Sequence, residues 1–321
     1  SYFATRNAEF GRAILGNVDV NGDGLPDLFV TSPRWSTFGS VFVFDHSGAL
    51  IRRIDSTSLM PFGYRGNAHC LGAAGDLDGD GCDDFIVGGI DYRPHVFGLG
   101  CGIVISGRTG GVLVVGHDEV IGDNIGDGVA GLGDIDGDRV PDFAAGSILR
   151  AHGAIRMFSG RTGQAIHSWR SSRQADGLDG EWLEGGGIDV DQDGVPDLIQ
   201  QSTVGIQRVF SGRDGGVLWE IVPSIYSIGP LGGGAAFLGS RRGDPFPLFA
   251  SSEYDVRTPK GIRVGRLWGF RGAPPGVRVI GSPCGRGGVS AKTGIRNLQQ
   301  GGGQGVRVTV HGARPSAFAL L

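Results

Sequence analysis

Lysine is almost missing from this chain: Lys260 and Lys292 stand against 27 arginines. The arginines are scattered, and the formal net charge is only −4, so the bias reads as composition and no nucleic-acid partner is expected. Cysteine is scarce as well. Cys70, Cys82, Cys101 and Cys284 form no C-x-x-C pair, which argues against a zinc site. Three of them fall within one repeat, so an oxidising compartment would allow a disulfide there, with a connectivity that spacing does not define. No apolar run approaches the ~20 residues of a membrane-spanning helix. The motifs H-E-x-x-H and G-x-S-x-G are absent, and with them the simplest signs of a metalloprotease or a serine hydrolase. The seven histidines (His46, His69, His95, His117, His152, His167 and His311) are dispersed and read as structural. The stretch Gly98-Leu99-Gly100-Cys101-Gly102 leads into a strand pattern and not a helix, so it is no nucleotide loop.

What the chain has in excess is glycine, 62 of 321 residues. No G-X-Y period runs through it, which excludes collagen. Dense glycine without that period, in a chain with 40% hydrophobic residues, fits many short strands joined by tight turns around a packed core. The expected class is all-β.

Internal repeats then define the architecture. Asp19-Val20-Asn21-Gly22-Asp23-Gly24-Leu25-Pro26-Asp27 recurs at Asp76 to Asp84, Asp134 to Asp142 and Asp189 to Asp197. A second landmark keeps the same beat: Ser106-Gly107-Arg108-Thr109-Gly110 returns at Ser159 to Gly163 and, with one change, at Ser211 to Gly215. Around each Asp loop the apolar segments predict four strands. In the first unit these are Phe10 to Val18, Leu28 to Thr31, Val41 to Phe44 and Leu50 to Ile54; the second has Phe85 to Val87, Gly102 to Ser106 and Val112 to Val115 in the last three places. Four antiparallel strands in roughly 50 residues is the size of a propeller blade. A blade cannot bury both faces alone, so neighbours must stack about an axis.

The predicted fold is therefore a β-propeller of four-stranded antiparallel blades over residues 1–280. About five blades are recognisable, near 10–55, 70–117, 125–170, 182–222 and 231–280. The fifth has lost its carboxylates: its loop reads Gly239-Ser240-Arg241-Arg242-Gly243-Asp244, and its strands are expected at 235–238, 247–251, 265–270 and 277–280. The tripeptide Arg242-Gly243-Asp244 in that loop reads as chance in so Arg- and Gly-rich a chain. Residues 281–321, with alternation through Val306 to Val310, read as the start of a small C-terminal β-domain. Phe318-Ala319-Leu320-Leu321 looks like a strand cut short, and the absence of a leader before Ser1 is expected to reflect a signal peptide removed or not included.

The Asp loops carry the chemistry. Calcium takes six to eight oxygens in flexible geometry. Side chains at positions 1, 3, 5 and 9, with the carbonyl at position 7, supply such a shell. The expected ligands are Asp19, Asn21, Asp23, Leu25 and Asp27 in the first loop and Asp76, Asp78, Asp80, Cys82 and Asp84 in the second. The third has Asp134, Asp136, Asp138, Val140 and Asp142; the fourth has Asp189, Asp191, Asp193, Val195 and Asp197. An EF-hand would need its last ligand at position 12 and flanking helices. Without a cation, so many clustered oxygens would repel one another. Up to four Ca2+ are expected. The third site should be weakest, because Arg139 stands where the others have Gly24, Gly81 and Gly194.

Phe10-Gly11 ahead of the first loop, the Asp-x-Asn/Asp-x-Asp-Gly-x-x-Asp pattern and the short apolar strand after it resemble the FG-GAP repeat of integrin α-subunit propellers. They are equally similar to the VCBS-type repeats of bacterial secreted proteins, and the Ser-Gly-Arg-Thr-Gly turns and the Ser282-Pro283-Cys284 tail look like those of planctomycete FG-GAP proteins. The match covers about residues 10 to 222, and more loosely 231 to 280; the family's propellers usually carry more than five blades. The resemblance implies a secreted or cell-surface, calcium-binding scaffold for protein or glycan ligands. Its alternative is a carbohydrate-active lyase or hydrolase, or an accessory domain of one; a passive surface-layer component is a third class. No nucleophile and no carboxylate pair outside the loops stands out, so a non-enzyme is expected. In an up-and-down blade the loops joining the second and third strands lie opposite the Asp loops. Those connections carry Trp35, Phe38, Tyr92, Arg93, His95, Tyr254 and Arg257, residue types enriched at binding hot spots.

Overall fold

The computed structural model describes residues 10–33, 39–56, 68–89, 92–93, 96–97, 100–117, 125–147, 153–171, 177–202, 206–222, 231–240, 247–257, 263–271, 282–283 and 307–310. For strand residues 92–93, 96–97, 221–222 and those beyond 230 it describes the backbone alone. Five antiparallel sheets follow one another along the chain. The first holds β1 (Ile14–Val18), β2 (Asp27–Ser32), β3 (Ser40–Phe44) and β4 (Leu50–Asp55) in that order. The second runs β5 (Cys70–Gly75), β6 (Asp84–Gly89), β9 (Cys101–Ile105) and β10 (Val112–His117), with a small hairpin, β7 (Tyr92–Arg93) and β8 (Val96–Phe97), in its middle connection. The third is β11 (Gly128–Gly133), β12 (Asp142–Ser147), β13 (Ala154–Phe158) and β14 (Ala165–Arg170).

The fourth comprises β15 (Trp182–Glu184), β16 (Leu198–Gln201), β17 (Gln207–Phe210) and β18 (Val217–Val222). The fifth comprises β19 (Leu231–Ser240), β20 (Pro247–Arg257), β21 (Arg263–Arg271) and β22 (Ser282–Pro283). The predicted last strand of that sheet, Val277 to Ile280, lies outside the described residues, and its place is taken by Ser282–Pro283. β20 runs on to Arg257, so Tyr254 and Arg257 belong to a strand and not to the loop where the sequence pattern placed them: Ser252↔Leu267, Glu253↔Arg266 and Val256↔Val264 continue the ladder. The strand β23 (Arg307–Val310) hydrogen-bonds to the outer edge of β18, adding a fifth strand to the fourth sheet.

The first strands of successive sheets adjoin, β1 with β5, β5 with β11, β11 with β15 and β15 with β19. The apolar core accordingly lies between the sheets in layers. One layer joins Phe29, Val41 and Val43 of the first sheet to Phe85, Val87 and Ile103 of the second. Another joins Ile86 and Val104 to Phe143 and Phe158, and a third joins Ala144 and Ile155 to Leu198 and Phe210. The Phe29 and Phe85 rings meet across the first layer with centroids 4.8 Å apart. This is why β6, β9, β12 and β13 are buried at every position: both faces of an inner blade are covered, and period-2 alternation disappears. Close stacking of the first strands also accounts for much of the glycine. A Cβ on Gly131 would lie 2.0 Å from the Ala73 carbonyl oxygen of the neighbouring sheet. Fold and repeat unit are those of a β-propeller.

Candidate metal centre

Each Asp loop is the turn between the first two strands of its blade, and its local conformation follows from its composition. Positions 4 and 6 both take positive φ. Glycine fills them in the first two loops: Gly22 (73°) and Gly24 (81°), Gly79 (75°) and Gly81 (86°). The third loop has Gly137 and Arg139 (72°), and the fourth has Gln192 (65°) and Gly194. Arg139 was legible as a strained residue from the sequence; Gln192 was not. Only the backbone reveals that position 4 needs the same left-handed conformation, so the fourth loop carries a strain equal in kind to that of the third.

Position 1 organises the loop. Asp19 accepts the amides of Gly22 (2.8 Å), Asp23 (3.2 Å) and Gly24 (2.7 Å). Burial pushes its pKa up, but the bonds from Gly24, Gly22 and Asp23 outweigh that and leave it lowered. Asp134 does the same with Gly137 (2.6 Å) and the strained Arg139 (2.9 Å). Position 9 closes the loop from the far side. Asp27, Asp84, Asp142 and Asp197 each accept the amide of position 2, at 3.0, 2.7, 2.7 and 2.6 Å.

The closing carboxylates are buried among apolar strands, and burial raises their pKa: Asp84 and Asp142 to about 6, Asp197 to about 8, Asp27 in the same direction. Burial and the neighbouring Asp193 likewise raise Asp191 to about 6. A divalent ion at the cluster would offset this cost directly.

The structure brings together Asp76, Asp78 and Asp84, then Asp134, Asp136 and Asp142, then Asp189, Asp191 and Asp197; in each trio one oxygen per residue lies within 4.8 Å of the others. These are positions 1, 3 and 9. Position 5 has both of its oxygens hydrogen-bonded. Asp80, Asp138 and Asp193 give one oxygen to the amide of position 7 (2.9, 2.8 and 2.9 Å). The other goes to the arginine of the Ser-Gly-Arg turn: Arg108 Nε at 3.0 Å, Arg161 Nε at 2.5 Å and Arg213 Nε at 2.6 Å. Nη2 of the same arginines also donates to the carbonyl of the same aspartate, at 2.8 Å for Arg108 and Arg161, and in Arg213 as well. The Arg161 hydrogen bond, then that of the Val140 amide, hold Asp138 below the ordinary carboxylate range.

The two landmarks of the sequence are thus the two turns at one end of each blade, and they are bonded to one another. The turn glycine has a steric reason: a Cβ on Gly107, Gly160 or Gly212 would sit 2.0, 1.8 or 1.9 Å from the carbonyl oxygen of position 8. Its amide reaches the second oxygen of position 9, Gly107 to Asp84 at 3.0 Å, Gly160 to Asp142 at 2.8 Å and Gly212 to Asp197 at 3.2 Å. The first blade departs from this. Its turn, Asp45-His46-Ser47-Gly48, is one residue shorter between its own closing bonds (Gly48 N to Asp45 O, against Gly110 N to Ser106 O). His46 replaces the arginine, with Nδ1 3.6 Å from Asp23 Oδ2. Asp27 Oδ1 is left buried with no hydrogen-bond donor. An all-oxygen donor set with an orphaned buried carboxylate oxygen fits a hard cation.

Of the other residues singled out, Trp35, Phe38, His95, Arg242-Gly243-Asp244 and Cys284 lie outside the described residues. Tyr92 and Arg93 form the short strand β7, in the expected connection. Cys70 and Cys82 are free thiols, and the Cys101 thiol donates to the Gly89 carbonyl at 3.8 Å. Cys82, at position 7 of the second loop, is buried, with its sulfur directed at Gly22 of the first loop. Beside it Asp83 stands where the other loops have proline. It ties the two loops together, accepting the Asp19 amide at 3.0 Å while its own amide donates to Asp19 O at 2.8 Å.

Residues 19–87 match the family model for the FG-GAP-like repeat. The chain is 28% identical over 185 residues to integrin alpha pat-2 of Caenorhabditis briggsae and 30% identical over 156 residues to integrin alpha-4 of Xenopus laevis. These matches cover 48% and 44% of the chain and 14% of each integrin, so the chain corresponds to a small part of those proteins. Among solved structures, rhamnogalacturonan lyase YesW superposes with a TM-score of 0.52 at 19% identity, covering 81% of this chain and 49% of the lyase; that likeness speaks for the fold alone. The chain is thus a β-propeller that carries an FG-GAP-like repeat at residues 19–87, is similar over part of its length to integrin α subunits, and has acidic clusters that could hold metal ions.

Proposed function

We propose that the protein is an extracellular calcium-binding propeller that serves as a binding or adhesion scaffold for a protein or glycan ligand. The observation that carries this reading is the trio of carboxylates at positions 1, 3 and 9, repeated in three successive blades and paralleled by Asp19, Asn21 and Asp27 in the first. These side chains, with the carbonyls of Leu25, Cys82, Val140 and Val195, would hold the ions. A bound Ca2+ would place positive charge directly among the converging carboxylates, fixing one end of each blade. Support for a surface location comes from the integrin similarity; among the described residues no helix is long and apolar enough to cross a membrane.

The ligand face is the opposite end, where the connections between second and third strands emerge, with Trp35, Phe38, Tyr92, Arg93 and His95, and Tyr254 and Arg257 toward the end of β20. The integrin similarity favours binding over catalysis. Calorimetric titration with Ca2+ tests the metal, and a reading of zero bound ions refutes it. Ligand capture on a glycan array and by pull-down tests the face. Alanine at Trp35 and Tyr92 should abolish capture while leaving calcium affinity and melting temperature unchanged; capture that survives places the face elsewhere.

A further inference from the structure

The first strands of four blades begin around one cavity. Its volume is about 420 Å3, and it is lined from the starts of β1, β5, β11 and β15, with Ile199 of β16 beside them. The Asp loops follow the far ends of those same strands. The cavity therefore lies at the opposite end of the blades, where the connections between second and third strands emerge. Its size falls within the roughly 300–1,000 Å3 of small-molecule sites. Arg12 and Ile14 line it and are both exposed, so it opens to solvent.

The lining is chemically mixed. Arg12 donates to His69 Nε2 at 3.0 Å, and Asp127, Glu181 and Glu184 bring three carboxylates to the same walls. Trp182, half-buried on β15, adds an aromatic surface. Among the described residues, the side chains of Glu181 and Glu184 make no hydrogen bond or ion pair. Burial raises the pKa of both, and the nearby Asp179 raises that of Glu181 further. Half-buried carboxylates without protein partners are costly unless a guest bonds to them. Three carboxylates against one guanidinium turn away an anion, and the guanidinium meets a purely cationic guest with like charge. An uncharged ligand dense in hydroxyls suits both signs, since each hydroxyl donates one hydrogen bond and accepts others.

We propose that this cavity is a saccharide site, in which Glu181, Glu184 and Arg12 bond the hydroxyls of an uncharged sugar unit and Trp182 packs against its ring. The inference rests on the scaffold reading above and names, for that same end of the blades, the class of ligand and the cavity that takes it. An indole face suits the apolar face of a sugar ring while its N–H stays available to a hydroxyl. His69 is a positioning residue, because it accepts from Arg12 and so fixes where the guanidinium points.

The test titrates the full chain, in millimolar Ca2+, with short uncharged oligosaccharides of glucose, mannose and galactose, with a galacturonate oligosaccharide and with an arginine-rich peptide. One of the uncharged series should bind and change the tryptophan fluorescence; the uronate and the peptide should not bind. Glu184→Gln should weaken that binding on the order of tenfold. Its melting temperature should equal or exceed the parent's, because the substitution removes a half-buried charge that has no partner. Trp182→Ala should weaken binding at least as much and Trp182→Phe should recover most of it, while Arg53→Gln on β4 should leave it unchanged. If Trp182→Ala folds poorly, Glu184→Gln and the fluorescence still decide. Binding of no uncharged sugar, sugar binding indifferent to both Glu184→Gln and Trp182→Ala, or peptide binding that Glu184→Gln removes overturns the proposal. Capture of a protein ligand by a chain that binds no sugar sinks this inference alone and leaves the scaffold reading standing. A chain that captures neither sinks both.

Discussion

The first blade and the three that follow share a nearly identical Asp loop yet surround it differently. In blades two to four the closing aspartate receives an amide on each oxygen, and the fifth-position aspartate receives an arginine. In the first, a turn one residue shorter removes both, leaving Asp27 Oδ1 buried without a donor. The packing differs in parallel. β6 and β12 are buried at every position, while the first sheet leaves Ile14 and Leu28 exposed. Matching loop sequences therefore do not make matching sites, because the second turn of the blade completes the site.

The largest expected effect bears on all four loops together. If each binds near the ~10⁻⁴ to 10⁻³ M of extracellular modules, millimolar calcium contributes on the order of 1 kcal/mol per site, a substantial part of a marginal total. Melting should shift clearly downward in chelator, and coincident scans would refute the metal sites.

Next comes a paired substitution that separates the blades. Asp142→Asn turns an amide NH2 toward one of two backbone donors, the Ile135 or the Gly160 amide, and should cost the metal-free protein about 1–3 kcal/mol. Asp27→Asn can place its NH2 at the oxygen that has no donor, so metal-free stability should hold within about 0.5 kcal/mol. Both should lose their ion. Equal destabilisation in denaturant melts would show that the first blade is no exception.

A smaller effect should distinguish the third and fourth loops from the first two. Arg139→Gly and Gln192→Gly each relieve a positive φ at the expense of a more flexible unfolded chain, for a net gain on the order of 0.5 kcal/mol. Calcium affinity should rise in both, and a rise from Gln192→Gly as large as that from Arg139→Gly would mean that the third site is not the weakest. A gain from Arg139→Gly only would leave the third site the weakest. Smallest of all, His46→Ala should leave melting unchanged, since the His46–Asp23 contact is long and half-exposed and such pairs contribute about 0–1 kcal/mol. A drop of several degrees would mean that His46 does the work of the missing arginine.

Much of this molecule was legible before any coordinates. The phase of the Asp loops with the Ser-Gly-Arg turns announced four-stranded blades, because a repeat must place its turns at fixed offsets from its strands. The spacing of the acidic residues announced clusters that could hold a cation, because carboxylates at positions 1, 3 and 9 of one tight turn are brought close together. Arg139 betrayed its strain because glycine fills its place in every other loop.

What only the tertiary structure decided was which groups meet across turns distant in sequence. That Arg161 seizes Asp138, 23 residues away, and that Gly160 must be glycine because the Pro141 carbonyl lies against it, depend on how two hairpins of one blade end side by side. Gln192 escaped notice since long polar residues are ordinary in turns, and only φ shows the cost. The extension of β20 through Tyr254 and Arg257 was hidden as well, because backbone pairing is made by every residue type and leaves no mark in composition. Side-chain pattern encodes the repeat and its acidic clusters, whereas contact between turns is set by blade geometry, which no local stretch of sequence contains.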